Sequence, residues 1–260
     1  PTYRLDQADF LLSFGADFLE TWLSPVEYAR QFAVFRSQRE GRSNPFFHVG
    51  PRLSLTAVHA DCWISVPPGT EYLAALGILR LLAEESTRGF PPEQTSLILN
   101  MVKDWPIKTI LERTGLETGT FRTLAASFKT AQNPLVLSGG LSCSNPSATE
   151  TSIAANLLSA LSPGFKDVIH TESHSSLGEA AQAQEMKRLA DRMAGGDDDL
   201  LLIYQANPVF SLPPSWGFEK GLKSVPLIVS FSPFMDETTR HAHLCLPTHV
   251  SLEAWGDPSP

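Results

Sequence analysis

The sequence predicts an α/β fold: two Rossmann-like, three-layer units with mainly parallel sheets. Three observations predict it. Short apolar runs at residues 9–14, 46–49, 134–139, 200–204 and 226–231 do not alternate with polar residues, as expected of strands covered by helices on both faces. Helix-length segments with apolar residues at helical spacing lie between them, the βαβ rhythm of a parallel sheet. The runs also leave into turn residues, Gly15-Ala16-Asp17, Gly139-Gly140 and Gln205-Ala206-Asn207-Pro208. That carboxyl edge is where open α/β sheets bind ligands.

In chain order, residues 20–35 place Trp22, Leu23, Val26, Tyr28, Phe32 and Phe35 at roughly helical spacing. Ser24-Pro25 supplies an N-cap and first-turn pair, so the helix proper starts there. Residues 36–44 read as a loop before the strand at 46–49, which Gly50-Pro51 stops. An Ala- and Leu-rich helix runs from about 70 to 85, with Thr70 as N-cap. Residues 91–101, 105–114 and 117–130 read as three shorter helices, after which Asn133-Pro134 breaks the chain. The unit boundary is placed there, giving 1–132 and 133–260. Beyond the strand at 134–139, helices are expected at 147–161 and 178–193, with a polar loop at 170–177 between them.

Bulk properties narrow the function. At 260 residues the chain can bury a sizeable core. A net charge of −8 argues against nucleic acid, which needs clustered cations. No apolar run approaches the roughly 20 residues that span a bilayer, so no direct membrane span is expected. Cys62, Cys143 and Cys245 form no C-x-x-C pair, so no iron–sulfur cluster is expected within the chain, and the three read as small buried apolar residues.

Ordered blocks carry a resemblance. They are Phe14-Gly15-Ala16-Asp17, then Gly50-Pro51-Arg52 through Ala60-Asp61, then Pro68-Gly69-Thr70-Glu71. Near the end stand Asn207-Pro208, Asp236-Glu237-Thr238-Thr239, Leu246-Pro247, Glu253 and Gly256, with His243 where an Asp is usual. In order and spacing the chain resembles the molybdopterin oxidoreductase, or dimethyl-sulfoxide-reductase, superfamily. The stretch LLSFGADFLETWLSP is similar to its large-subunit type in alternative complex III and menaquinone reductase complexes.

The resemblance implies an internal fragment of a bacterial respiratory electron-transfer subunit on the periplasmic side of the inner membrane. Implied partners are iron–sulfur, multihaem cytochrome c and integral membrane quinone-binding subunits. Active members hold a bis-molybdopterin guanine dinucleotide with molybdenum or tungsten, and the block carrying their metal ligand is expected upstream of Gly15. The departures at Asp17, Gly50, Glu71 and His243 favour a structural subunit with no cofactor in this fragment over a catalytic one.

Cofactor contacts, if made, would fall on Gly15, Asp17, Arg52, Thr56, Gly69, Thr70, Glu71, Gly139, Asn207 and Pro208. Each has a plainer alternative. Gly15 and Gly139 either let backbone approach a phosphate or make ordinary tight turns. Arg52 either pairs with a pyrophosphate or forms a surface salt bridge, with Asp61 as a candidate. Glu71 either accepts from a guanine or merely complements a helix N-terminus. His241, His243 and His249 with Glu253 lack the fixed spacing of a metal site. No G-x-G-x-x-G fingerprint and no G-x-S-x-G elbow is present.

Overall fold

The computed structural model describes residues 2–37, 43–84, 92–171, 180–250 and 252–256, with backbone alone at 92–95 and 141. The chain divides into two compact units, Pro1–Ser175 and Ser176–Pro260. The loops expected at 36–44 and 170–177, and the helix start at 178, fall wholly or partly outside the described residues.

The strands of the first unit are β1 (Thr2–Tyr3), β2 (Phe10–Phe14), β3 (Phe46–Val49), β4 (Cys62–Ile64), β5 (Pro134–Ser138) and β6 (Ile169–His170). Its main sheet has the order β4-β3-β2-β5 and is parallel throughout, while β1 and β6 form a separate antiparallel ribbon. Its helices are α1 (Pro25–Phe35), α2 (Leu55–Val58), α3 (Glu71–Glu84), α4 (Pro92–Val102), α5 (Ile107–Thr114), α6 (Thr118–Thr130), α7 (Ala148–Ala160) and α8 (Phe165–Val168).

The unalternating apolar strands have a simple cause. Phe10, Leu12 and Phe14 of β2 pack on Ile78 of α3, Phe121 of α6 and Ala155 of α7. Leu11 of β2, with Phe46 and Leu135, faces the other way onto Phe32 of α1 and Val168 of α8. Every residue of β2 is buried. Burial of each large apolar side chain contributes on the order of 2 kcal/mol before entropy is counted.

α1 begins at Pro25, as Ser24-Pro25 implies, although Ser24 makes no side-chain cap hydrogen bond. Gly77 of α3 is a packing requirement: a Cβ there would stand 2.5 Å from Cε1 of Phe121. This lets α3 and α6 approach closely.

The second unit holds β7 (Leu200–Tyr204), β8 (Leu227–Phe231) and β9 (Leu244–Cys245) in a parallel sheet of that order. Its helices are α9 (Ala183–Gly195), α10 (Pro208–Ser211) and α11 (Phe218–Leu222). α9 starts later than expected because Gln182 and Glu185 close a capping box, and Gly196 ends it in the left-handed region.

Two expectations need correcting. The boundary does not fall at 132/133, because β5 pairs with β2 from Phe10↔Pro134 to Phe14↔Ser138 and α7 packs into the same core. Those contacts hold the segment in the first unit. The cysteines are not buried: Cys62 and Cys143 are exposed and Cys245 is half-buried, all three as free thiols. Cys62 lies on the edge strand β4, and Cys143 lies in the turn after β5.

Candidate functional site

The sheet of the first unit reverses direction at β2. From β2 the chain moves outward to β3 and β4, then returns through α3–α6 to β5 on the other side of β2. The helix after β2 packs on one face and the helix after β5 on the opposite face. The carboxyl ends of β2 and β5 therefore flank a topological switch point, the place where open α/β sheets hold ligands. Gly15 follows β2 and Gly139 follows β5, so topology brings together two residues that sequence separates widely.

Their glycine character serves the protein itself. Gly15 has φ +68°, and an added Cβ would sit 3.0 Å from Ser142 Cβ and 3.1 Å from the Gly139 carbonyl. At Gly139 a Cβ would lie 2.2 Å from Nε1 of Trp22, and at Gly140 it would lie 2.4 Å from the Gly15 carbonyl. The Ser142 hydroxyl donates within reach of both the Phe14 and Gly139 carbonyls, at 2.7 and 2.8 Å. The open side of Gly139 is filled by the Trp22 indole, which also packs against Tyr3 and Tyr28. Leu23, next to Trp22, adopts φ +48°, a left-handed conformation costing about 1 kcal/mol for a residue with a Cβ.

Asp17 organises the loop after β2. Its carbonyl accepts from the N–H groups of Glu20, Thr21 and Trp22. Its buried carboxylate accepts a short hydrogen bond from Ser54. Burial pushes the Asp17 carboxyl above its usual range, with Ser54 partly opposing the shift. Thr56, fully buried, accepts from the Leu19 N–H at 3.1 Å. Arg52 is half-exposed and pairs with Glu20 at 2.6 Å, and the other Glu20 oxygen accepts from the Leu55 N–H. The surface-salt-bridge alternative thus describes Arg52, though not with Asp61. Asp61 instead pairs with Arg36 at 2.7 Å and accepts from the Phe46 N–H.

The third block opens α3. Gly69 has φ +79°, and the position a Cβ would take lies 3.6 Å from Asn145 Oδ1. The Thr70 hydroxyl donates to the Pro67 carbonyl at 2.7 Å, so it fastens the preceding turn. Glu71 is completely buried, and neither carboxylate oxygen has a hydrogen-bond partner. Burial raises its carboxyl above the usual range. The nearby N–H groups of Gly69, Thr70 and Glu71 temper that rise without bonding to it in good geometry.

In the second unit Asn207 locks two loops together. Its side chain donates to Glu237 at 2.7 Å and accepts from the Thr238 hydroxyl at 2.7 Å. Pro208 is buried at the start of α10. A cavity of about 470 Å³ lies beside this corner at the ends of β7 and β8, lined by Gln205, Asn207, Ser232, Phe234, Asp236 and Val250 among others. Gln205 at its lip has φ +46°.

His243 closes the β8–β9 ladder: its Nδ1 accepts from the Ile228 N–H and its own N–H donates to the Ile228 carbonyl. His241 lies 3.5 Å from Glu219, and His249 lies 3.7 Å from Glu253. Among the described residues no group of three or more His, Cys, Asp and Glu could hold a metal ion.

Sequence reasoning missed Trp22, Glu20, Ser54 and Ser142 as organisers of this edge. Their partners lie on other loops, up to 128 residues away for Ser142, and nothing local marks them.

No family model matches the chain. A curated relative, the menaquinone reductase molybdopterin-binding-like subunit of Nitratidesulfovibrio vulgaris (strain Hildenborough), is 27% identical over 266 residues, covering 98% of this chain. The chain is similar to that subunit over nearly its whole length. It spans only 38% of the relative's length. Among solved structures, acetylene hydratase from Pelobacter acetylenicus superposes with a TM-score of 0.62 at 18% identity, over 94% of this chain and 41% of that one. At that identity the likeness concerns the fold alone, a mixed α/β architecture with parallel sheets.

A molybdopterin dinucleotide at the first unit's edge would need open glycine backbone, an uncommitted cation and a reachable carboxylate. The glycine surface is taken by Trp22 and the facing loop, Arg52 is engaged by Glu20, and Glu71 is closed inside the protein. The residues singled out in the first unit do not fit the group in this arrangement.

Proposed function

We propose that this chain is an internal part of a longer molybdopterin-binding-like subunit of a bacterial menaquinone-reducing respiratory complex. In this reading the α/β units serve as a structural body that holds no pterin cofactor. The observation that carries it is Trp22 lodged against Gly139 at the switch point, where a cofactor-binding sheet presents open backbone. The sequence relationship over nearly the whole chain supports the subunit type, and the relative's greater length supports the fragment reading.

Such a body would dock against iron–sulfur, multihaem cytochrome c and integral membrane quinone-binding subunits on the periplasmic side, as in alternative complex III. No helix among the described residues is long and apolar enough to cross a membrane, so membrane association would come through those partners. The competing reading, a clasp for bis-molybdopterin guanine dinucleotide, draws on one observation: the two Glu71 oxygens have no donor.

Affinity purification of the tagged full-length parent tests the subunit assignment. Co-elution of c-type cytochrome, iron–sulfur and membrane subunits with menaquinone reductase activity is expected. Recovery of a lone protein carrying its own molybdenum-dependent activity would contradict it.

A further inference from the structure

A further cavity lies in the first unit, among its helices. It encloses about 260 Å³ between α3, α7 and the connection from α4 to α5, and it shares no described lining residue with the groups around Gly15 and Gly139. Tyr72 and Leu76 stand one turn apart on α3, and Ala154 and Leu157 lie on α7, so two packed helices form its floor. Trp105, in the connection, makes a wall, and the exposed Met101 and Ile153 also line it. A cavity of about 150 Å³ accepts benzene, so this one has room for an aromatic ring with a short side chain.

Groups that do not line the cavity hold its aromatic wall in place. The Trp105 and Tyr72 rings meet edge to face with centroids 5.7 Å apart. The Arg113 guanidinium lies 5.4 Å from the Trp105 centroid and donates to the Tyr72 hydroxyl at 3.3 Å. Arg80 donates to the Trp105 carbonyl at 3.2 Å and lies beside Glu84. Both nearby cations are therefore committed elsewhere, and the wall is preformed, which lowers the cost of binding.

The charged group on the described lining is Glu150, in the first turn of α7. It is exposed, and among the described residues no cation or hydrogen-bond donor engages it. The helix N-terminus favours its ionised form. Ser147, which precedes α7 and also lines the cavity, has a hydroxyl that makes no cap bond. Apolar and aromatic surface beside an uncommitted carboxylate and a hydroxyl is complementary to an ammonium group carried on an apolar body.

We propose that this cavity is a binding site for a small arylalkyl amine in its protonated form. The ammonium group donates to Glu150 and Ser147, and the aromatic body fills the space between Tyr72, Leu76, Trp105 and Leu157. An anion of the same shape would meet the Glu150 carboxylate, and a neutral analogue would leave that carboxylate without a cation. Occupancy does not depend on whether the parent holds pterin or metal.

Isothermal titration of the purified full-length parent at neutral pH tests this, with 2-phenylethylamine, 2-phenylethanol and phenylacetate as probes of similar size and different charge. Saturable binding of the amine, at least about tenfold tighter than either analogue, is the expected result. Glu150→Gln should remove that preference in a protein that still unfolds cooperatively, since the side chain is exposed. Ile153→Trp, a half-exposed position where added bulk narrows the cavity, should abolish amine binding. Equal binding of the alcohol would make this an apolar hole without charge selection, and preference for phenylacetate would mean that Arg113 governs it. Either outcome overturns the proposal, as does no saturable uptake of millimolar amine. A preference that survives Glu150→Gln, or amine binding that survives Ile153→Trp, belongs to another place on the protein and overturns it too. Cofactor content and co-purifying subunits are read separately, so loss of the respiratory assignment leaves the titration interpretable.

Discussion

Glu71 and His48 are the side chains whose burial is least compensated. The Glu71 carboxylate lies at the start of α3 with no hydrogen-bond partner, and burial raises its proton affinity. A carboxyl that keeps its proton more tightly when folded loses stability as pH rises through and above the ordinary carboxylate range. Glu71→Gln is therefore expected to stabilise the chain at pH 8 by on the order of 1 kcal/mol, and to change little near pH 4. Urea unfolding at the two pH values measures the difference.

His48 works in the opposite direction. It is buried in β3, its Nδ1 has no partner, and burial lowers its pKa to about 4. A histidine that resists protonation when folded costs stability as pH falls from its unfolded value near 6.5 towards 4, by about 3 kcal/mol in full. His48→Phe, a change of similar volume, should flatten the stability profile between pH 7 and pH 4. An unchanged slope would mean that His48 is hydrated.

At the scale of elements, the coupling between the β5 turn and the loop after β2 is the feature most open to test. Gly139→Ala drives a Cβ into the Trp22 indole, and overpacking of this kind costs about 1–3 kcal/mol. In a Trp22→Ala background the same change should cost at least about 0.5 kcal/mol less. Equal costs in both backgrounds would mean that Trp22 does not occupy this space.

The strands were legible because apolar runs without alternation have few other uses. β3 and β7 match their expected ranges, and α1 starts at the Ser24-Pro25 signal. What sequence could not supply was tertiary. Thr70 has the composition of an N-cap yet spends its hydroxyl on the Pro67 carbonyl. Arg52 found Glu20, 32 residues away, instead of Asp61, which Arg36 had already engaged.

Across the whole molecule, the same logic separates what periodicity can reveal from what pairing decides. Asn133-Pro134 interrupts the chain locally, but the ladder between β2 and β5 overrides that break and carries the first unit on to Ser175. The convergence of Gly15, Asp17, Arg52, Thr56, Gly69, Thr70, Glu71 and Gly139 on one sheet edge was implicit in their places after successive strands. The packing of Trp22 against Gly139 spans two loops and has no sequence signature.

The central claim is that this edge is a structural closure in a respiratory subunit rather than a cofactor clasp. Elemental analysis for molybdenum and tungsten, with fluorescence of the oxidised pterin, on the full-length parent purified within its complex tests it most directly. The account predicts neither metal nor pterin above trace levels in a preparation that still reduces menaquinone. Near-stoichiometric molybdenum or tungsten together with pterin would contradict it.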